Sequence, residues 1–182
     1  MRVISGKLKG RNILGFNIEG TRPTMDRVKE SILGMIQDYV NDSLVLDLFS
    51  GSGNYGIECI SNGSKLVYFN DYNKKCINVI KDNLTKMNVI DQSIITNLDY
   101  KKALDYYKNN NIKFDIVFLD PPYKKHIINE ILDYLLDNNL LNNNGLVICE
   151  CLEKEEYLNS KLSLFKEKKY GEKIVFIYKY DN

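Results

Sequence analysis

The chain holds a single histidine, His126, and four cysteines, Cys59, Cys76, Cys149 and Cys151, none of them in a Cys-x-x-Cys pair. Too few of the usual ligands remain for a zinc site, so no metal is expected and the cysteines read as core thiols in a reducing compartment. No apolar run approaches the roughly 20 residues of a membrane span, so no transmembrane segment is expected. The opening Met-Arg-Val-Ile-Ser-Gly lacks the apolar stretch and cleavage site of a secretory leader, and the expected location is the cytoplasm. A dominant sign of charge is missing too: 25 Lys and Arg stand against 24 Asp and Glu. Of three prolines, two are adjacent, Pro121 and Pro122.

At 182 residues, 44% apolar and 27% charged, the composition suits one soluble domain with a sizeable core. A single domain over 1–182 is expected, with 1–23 as a small basic extension and 24–182 as the core; a monomer is the default. The balanced charge is unevenly spread. Residues 1–29 carry seven cations, Arg2, Lys7, Lys9, Arg11, Arg22, Arg27 and Lys29, against Glu19 and Asp26, a net +5. Such a patch suits phosphate contact, because each neutralised phosphate releases counterions; a merely solvated edge has the same composition.

Glycines at 6, 10 and 15 between short apolar patches predict a β-hairpin over 2–18. Met25, Val28, Ile32, Ile36 and Tyr39 then recur at helical spacing, with Thr24 placed as the cap. From residue 44 onward strands alternate with helices. Strands are predicted at 44–49, 65–71, 93–97, 114–119 and 146–151, and helices at 54–62, 73–87, 100–108 and 127–138. The runs Asn109–Asn111 and Asn142–Asn144 read as loops. A short helix near 153–160 and two strands near 163–168 and 173–180, with Gly171 between them, close the chain. The pattern predicts an α/β, Rossmann-like fold: a mostly parallel seven-stranded sheet with an antiparallel end. Ligands of such sheets lie beyond the carboxyl ends of the strands.

Three stretches fall there. Val45 to Gly56 runs from a buried strand into Gly51, Gly53 and Gly56, a G-x-G-x-x-G turn that lets backbone approach a nucleotide-like ligand. Asp47 stands four residues before Gly51, where dinucleotide folds usually carry apolar residues, and a carboxylate there suits a cationic ligand better than a pyrophosphate. The loop resembles that of S-adenosylmethionine (SAM) methyltransferases. Asp71, 20 residues after Gly51, is placed to accept from ribose hydroxyls. Asp99, at the end of the third strand, is placed either to accept from an adenine amino group or to cap the next helix.

The third stretch is Asp120-Pro121-Pro122-Tyr123. Two prolines directly after a buried strand hold the backbone extended and leave carbonyls with no competing N–H. An exocyclic amino group on a base is a poor nucleophile, because its lone pair is delocalised into the ring. The Asp120 carboxylate and the Pro121 carbonyl can each accept one of its N–H bonds and stabilise the charge that develops on nitrogen. Tyr123 is placed to stack on an extruded base, a contact of roughly 1–3 kcal/mol. Asp120 or a positioned water takes the proton. His126 follows Lys124-Lys125 and reads as a surface residue.

With these motifs the chain resembles the RsmD-type family, bacterial methyltransferases acting on N2 of a guanine in 16S ribosomal RNA. The resemblance runs through Arg2-Val3-Ile4-Ser5-Gly6, Lys9-Gly10-Arg11, Thr21-Arg22-Pro23-Thr24, Asp26-Arg27-Val28-Lys29-Glu30, Leu46 to Gly53, Gly56-Ile57-Glu58 and Asp120 to Tyr123. It implies SAM held by the loop of Asp47, Ser50, Gly51 and Gly53 with Asp71 and Asp99, and catalysis at Asp120, Pro121, Pro122 and Tyr123. It also implies RNA contact through Lys7, Lys9, Arg11, Arg22 and Arg27, with 16S RNA, a small subunit or an assembly intermediate as partner. The family often carries a second acid two residues after the ribose acid; here Asn73 occupies that place and can cap the helix. A DNA adenine or cytosine amino-methyltransferase, a silent RNA-binding assembly factor and a nicotinamide dehydrogenase are the rival readings. The missing room for a sequence-reading domain, the intact Asp120 to Tyr123, and Asp47 with the double proline weigh against them in turn.

Overall fold

Phe114–Leu119 is apolar except for Asp115, and its apolar side chains are buried, as a strand covered on both faces requires. It forms β4 near the middle of the sheet in the computed structural model, which describes residues 1–15, 22–122, 127–152, 157 and 159–181, and the side chains of all of these but 22–26. The other strands are β1 (Leu44–Asp47), β2 (Leu66–Asn70), β3 (Ser93–Thr96), β5 (Leu141–Cys151), β6 (Leu162–Tyr170) and β7 (Lys173–Tyr180). Their order is β3-β2-β1-β4-β5-β7-β6. The first five run parallel, and β7 is antiparallel to both its neighbours. The sequence-based expectation of a mostly parallel seven-stranded sheet with an antiparallel end is met.

Two helical layers cover the sheet. The helices are α1 (Arg22–Val40), α2 (Asn54–Ser61), α3 (Lys74–Met87), α4 (Tyr100–Asn109) and α5 (Ile128–Asp137). One core joins Val28, Ile32 and Ile36 of α1, Ile57 and Ile60 of α2 and Ile80 and Leu84 of α3 to Val45, Phe69, Ile116 and Ile148. The other joins Leu104 and Tyr107 of α4 and Ile131 and Leu135 of α5 to Leu46, Val117 and Val147. Each such side chain contributes about 1.5–3 kcal/mol when buried. Asn73 caps α3, its Oδ1 accepting from Lys75 N–H at 2.9 Å.

Several expectations are corrected. Thr24 lies inside α1, which begins at Arg22, so it is not the cap. The run Asn142–Asn144 is part of β5, which starts at Leu141. Asn144 takes φ 64° and the register with β4 shifts between Phe114 and Ile116, so the strand passes through an irregularity where a loop was expected. The N-terminal hairpin has one antiparallel bridge, Arg2 to Asn12, closed by a 3-10 turn at Gly6–Leu8. Residues 16–18 of it, and 153–156 and 158 of the expected late helix, lie outside the described residues. No helix among the described residues is long and apolar enough to cross a membrane.

Candidate active site

The parallel strands end together, and each expected site residue that follows one of them stands at that end of the sheet. Asp47 closes β1, and its Oδ2 accepts from Gly56 N–H of α2 at 3.2 Å. It is only 3% exposed. Burial pushes its carboxyl up to about 7, against the pull of the Gly56 N–H, with smaller pushes from Asp71 and Glu150. The loop between is tightly tied: Ser50 Oγ donates to Asp47 O at 2.6 Å, and Asn70 N–H donates to Ser50 Oγ at 3.0 Å. Gly53 sits at φ 79°, the left-handed conformation that turns the chain into α2. Gly56 is required for a different reason, since a Cβ there would lie 2.2 Å from the Phe69 ring.

Asp71 follows β2 and ties the loop from the other side. Its Oδ2 accepts from Gly51 N–H at 2.9 Å and its Oδ1 from Asn73 N–H at 2.8 Å. Both oxygens were expected to face ribose hydroxyls; each already takes one backbone donor. A carboxylate offers about four acceptor positions, so capacity for hydroxyls remains on both. Asp99 caps α4, accepting from Lys101 N–H at 3.0 Å, and it also lines a pocket.

That pocket joins the motifs. Leu48, Phe49, Asn70, Tyr72, Leu98, Asp99, Tyr100, Pro122 and Ile127 line it, an apolar wall with one carboxylate at its rim. Pro122 therefore shares a pocket with Asp99, although 23 positions separate them in the chain. Asp120 is half-buried directly after β4, Pro121 is buried and Pro122 exposed. Tyr123 and His126 lie outside the described residues, and so does the side chain of Arg22.

The basic residues divide. Arg27 is exposed on the first half of α1. Lys7 donates to Gln92 Oε1 at 2.9 Å, and Arg11 donates to Lys86 O at 3.4 Å. Lys86 stands in the last turn of α3 and Gln92 between α3 and β3, at the end of the sheet away from Asp120. The 14-residue α3 spans roughly 20 Å between the two ends. Lys9 is exposed on the same turn as Lys7.

Sequence reasoning missed three residues. Asn70 is 1% exposed and clamps the strand ends: its Nδ2 donates to Leu48 O and Leu98 O, and its Oδ1 accepts from Thr96 Oγ1 at 2.8 Å. A polar residue ending the apolar run Leu66 to Phe69 was its signal. Tyr55, in the first turn of α2, stacks on Phe118 with centroids 4.9 Å apart, and its hydroxyl donates to Glu150. Glu150, near the end of β5, is 3% exposed and also takes Lys173 Nζ at 2.9 Å. Burial, and then the carboxylates of Glu150, Asp120 and Asp47, push the Tyr55 phenol far up, so it stays a neutral donor. No sequence signal marked this group, because its members come from α2, β5 and β7.

A ligand bearing positive charge is expected to bind with proton release from Asp47. Between pH 6 and pH 8 the affinity for SAM should rise about tenfold, since a carboxyl near 7 must ionise to pair with the cation. Calorimetry in two buffers of different ionisation enthalpy would detect the proton, and Asp47→Asn should flatten the profile. In the unliganded protein the sign is the reverse of a salt-bridged acid. The folded state holds the proton more tightly than the unfolded chain, so this group's contribution to stability falls as pH rises from 3.8 towards about 7.

Comparison with known proteins gives this site a context. Residues 1–179 match the family described as Conserved hypothetical protein 95. The Haemophilus influenzae protein named ribosomal RNA small subunit methyltransferase D is 36% identical over 176 residues, covering 94% of this chain and 89% of its own. A solved Escherichia coli protein described as 'Putative methyltransferase yhhF' superposes with a TM-score of 0.86 at 26% identity, over 100% of this chain and 98% of its own. A solved protein described as 'SMU.776, a putative methyltransferase complexed with SAH' shares the fold at 14% identity, with a TM-score of 0.72, over 94% of this chain and 52% of its own. The chain belongs to the family of the small-subunit ribosomal RNA methyltransferases D.

Proposed function

We propose that this protein is a SAM-dependent methyltransferase that modifies the exocyclic N2 of a guanine in 16S ribosomal RNA. The observation that carries the reading is the shared pocket: Pro122 of the Asp-Pro-Pro turn lines the same hollow as Asp99, Leu98 and Tyr72 at the strand ends. SAM is the methyl donor, and the site's chemistry fits it. Asp47 and Asp71 flank the glycine loop with carboxylates, an environment that favours an ammonium and a sulfonium over a pyrophosphate. The apolar wall of Leu48, Leu98, Tyr72 and Tyr100 suits an adenine ring.

When bound, SAM supplies an electrophilic methyl group on sulfur. The chain's own residues prepare the acceptor. The Asp120 carboxylate and the Pro121 carbonyl accept the two N–H bonds of the amino group, which turns the nitrogen lone pair towards the methyl and offsets the positive charge that grows there. Holding the two reactants in line contributes the larger share of the rate. The surplus proton on nitrogen leaves to Asp120 or to water. Tyr123 stacks on the base, and Lys7, Lys9, Arg11, Arg22 and Arg27 contact RNA phosphates.

Labelled SAM offered with unmethylated 16S RNA, with small subunits and with duplex DNA tests this. Label at guanine N2 in the RNA samples alone is the expected result, mapped by mass. Label in DNA would replace the RNA reading with a DNA amino-methyltransferase, and SAM binding without transfer to any sample would replace it with a silent RNA-binding protein.

A further inference from the structure

The cations nearest the catalytic end of the molecule are not those of the N-terminal turn. In α1, positions 27, 31, 35 and 39 form one row at i, i+4 spacing. Ser31 accepts from Lys168 Nζ at 3.0 Å and from the Tyr170 hydroxyl, both on β6. Tyr39 meets Phe165 of β6 with centroids 5.9 Å apart, and Lys179 of β7 lies over the Tyr39 ring. The row therefore faces β6 along a seam, and Arg27 continues it one turn beyond Ser31. Lys166 and Lys168 are exposed on the strand. They pair with Ile177 and Val175, whose side chains pack in the core on the α1 side, so both lysines face the seam. Glu167, between them, points to the opposite face; of the exposed acids of α1, Glu30 lies off the row, and Asp38, seven residues after Ser31, shares its face about two turns further from the catalytic end.

The seam is oriented. Residue Tyr170 ends β6 opposite Lys173, and Ile174 pairs with Cys151 at the carboxyl end of β5, beside the strand that leads into Asp120. Arg27, Lys168 and Lys166 thus descend from the catalytic end along one face. Half-buried aromatic rings sit among them, with Lys166 over Phe165 at 5.4 Å and Lys168 over Tyr170 at 5.5 Å. Cations interleaved with aromatics along a line are the chemistry of a nucleic-acid backbone track. We propose that the α1–β6 seam binds the sugar-phosphate backbone of the RNA strand that flanks the target nucleotide. This rests on the RNA reading above and adds a surface that the basic N-terminal turn, at the other end of the sheet, does not provide.

Lysines on an exposed edge strand also deter edge-to-edge pairing, and the experiment separates the two roles. The double variant K166Q/K168Q keeps the edge polar. Its affinity for a 16S RNA fragment, measured by filter binding, should fall about tenfold near physiological salt. The slope of log affinity against log salt should lessen by about 1.4, at about 0.7 for each phosphate lost on a single strand. The RNA KM in methyl transfer should rise by the same factor. The control pair K108Q/K113Q, exposed at the opposite end of the sheet, should leave affinity and slope unchanged. Unaltered binding by K166Q/K168Q, or an equal loss in the control, overturns the proposal, and so does aggregation of K166Q/K168Q whose monomer binds RNA normally. Failure of the unmodified protein to transfer methyl to RNA would sink the enzymatic reading, while the binding comparison would still decide the seam.

Discussion

Asp120→Ala is expected to lower the rate of methyl transfer to RNA about a hundred- to a thousandfold in single-turnover measurements with labelled SAM. The magnitude is that of removing one preorganised partner aimed at developing transition-state charge, about 3–4 kcal/mol. Two arguments place the loss in the chemical step. Asp120 follows β4, whose pairing with β1 and β5 on either side fixes the position of its backbone. The next residue is a buried proline, so the turn has little freedom to supply a substitute acceptor. Asp120→Asn should retain more activity than alanine, because its amide oxygen still accepts one N–H bond, but it loses the negative charge that opposes the growing cation. SAM affinity should change far less than the rate, since the pocket wall consists of other residues. Full activity in the alanine variant would remove Asp120 from the mechanism and leave proximity alone to explain the rate.

The contrast between what the chain shows openly and what it hides follows from locality. Asp120-Pro121-Pro122 and the glycine loop were legible because each is a short contiguous stretch at the end of a strand, and the apolar runs of β1 and β4 announce those strands. Asp115 interrupts one of these runs. Its Oδ2 accepts from Leu44 N–H at 2.7 Å and its Oδ1 from Asn142 Nδ2 at 2.8 Å, so the acid ties the starts of β1 and β5 to β4. The same contact explains why Asn142 to Asn144 deceive: asparagine composition says loop, while β5 carries them past a register shift. Tyr55, Glu150 and Lys173 could not be read at all. Each alone is an ordinary polar residue, and only the packing of α2 over the ends of β4 and β5 makes them one group. Asp71 shows a middle case, found by its spacing from Gly51, while its grip on the loop N–H appears only in three dimensions.

Lys29 is the hidden residue with the largest expected effect on stability. It sits in an amphipathic helix where a lysine reads as solvent-facing, yet its side chain and that of Glu58 are both 0% exposed. All three ammonium donors are used: Glu58 Oε1 at 2.8 Å, Asn54 Oδ1 at 2.8 Å and Arg2 O at 2.9 Å. Glu58 Oε1 accepts from Ile4 N–H as well, while Oε2 has no hydrogen-bond partner among the described residues. One ion pair therefore fastens α1, α2 and the N-terminal segment. Lys29→Met leaves the Glu58 carboxylate buried without its cation, and the expected cost is about 3–5 kcal/mol. For a chain of this length that lowers the thermal midpoint by about 10 °C. The double variant K29M/E58L should be less unstable than K29M alone, because no charge is then stranded, though it still orphans Ile4 N–H and Arg2 O. Because Asn54 opens α2 directly after the glycine loop, K29M should also weaken SAM binding several-fold. A loss below about 1 kcal/mol in K29M, measured by denaturant unfolding, would mean that the pair is not the fastener. An additive double variant would mean that the two charges act separately, and that the N-terminal segment is held by its apolar contacts at Val3, Leu8 and Ile13 instead.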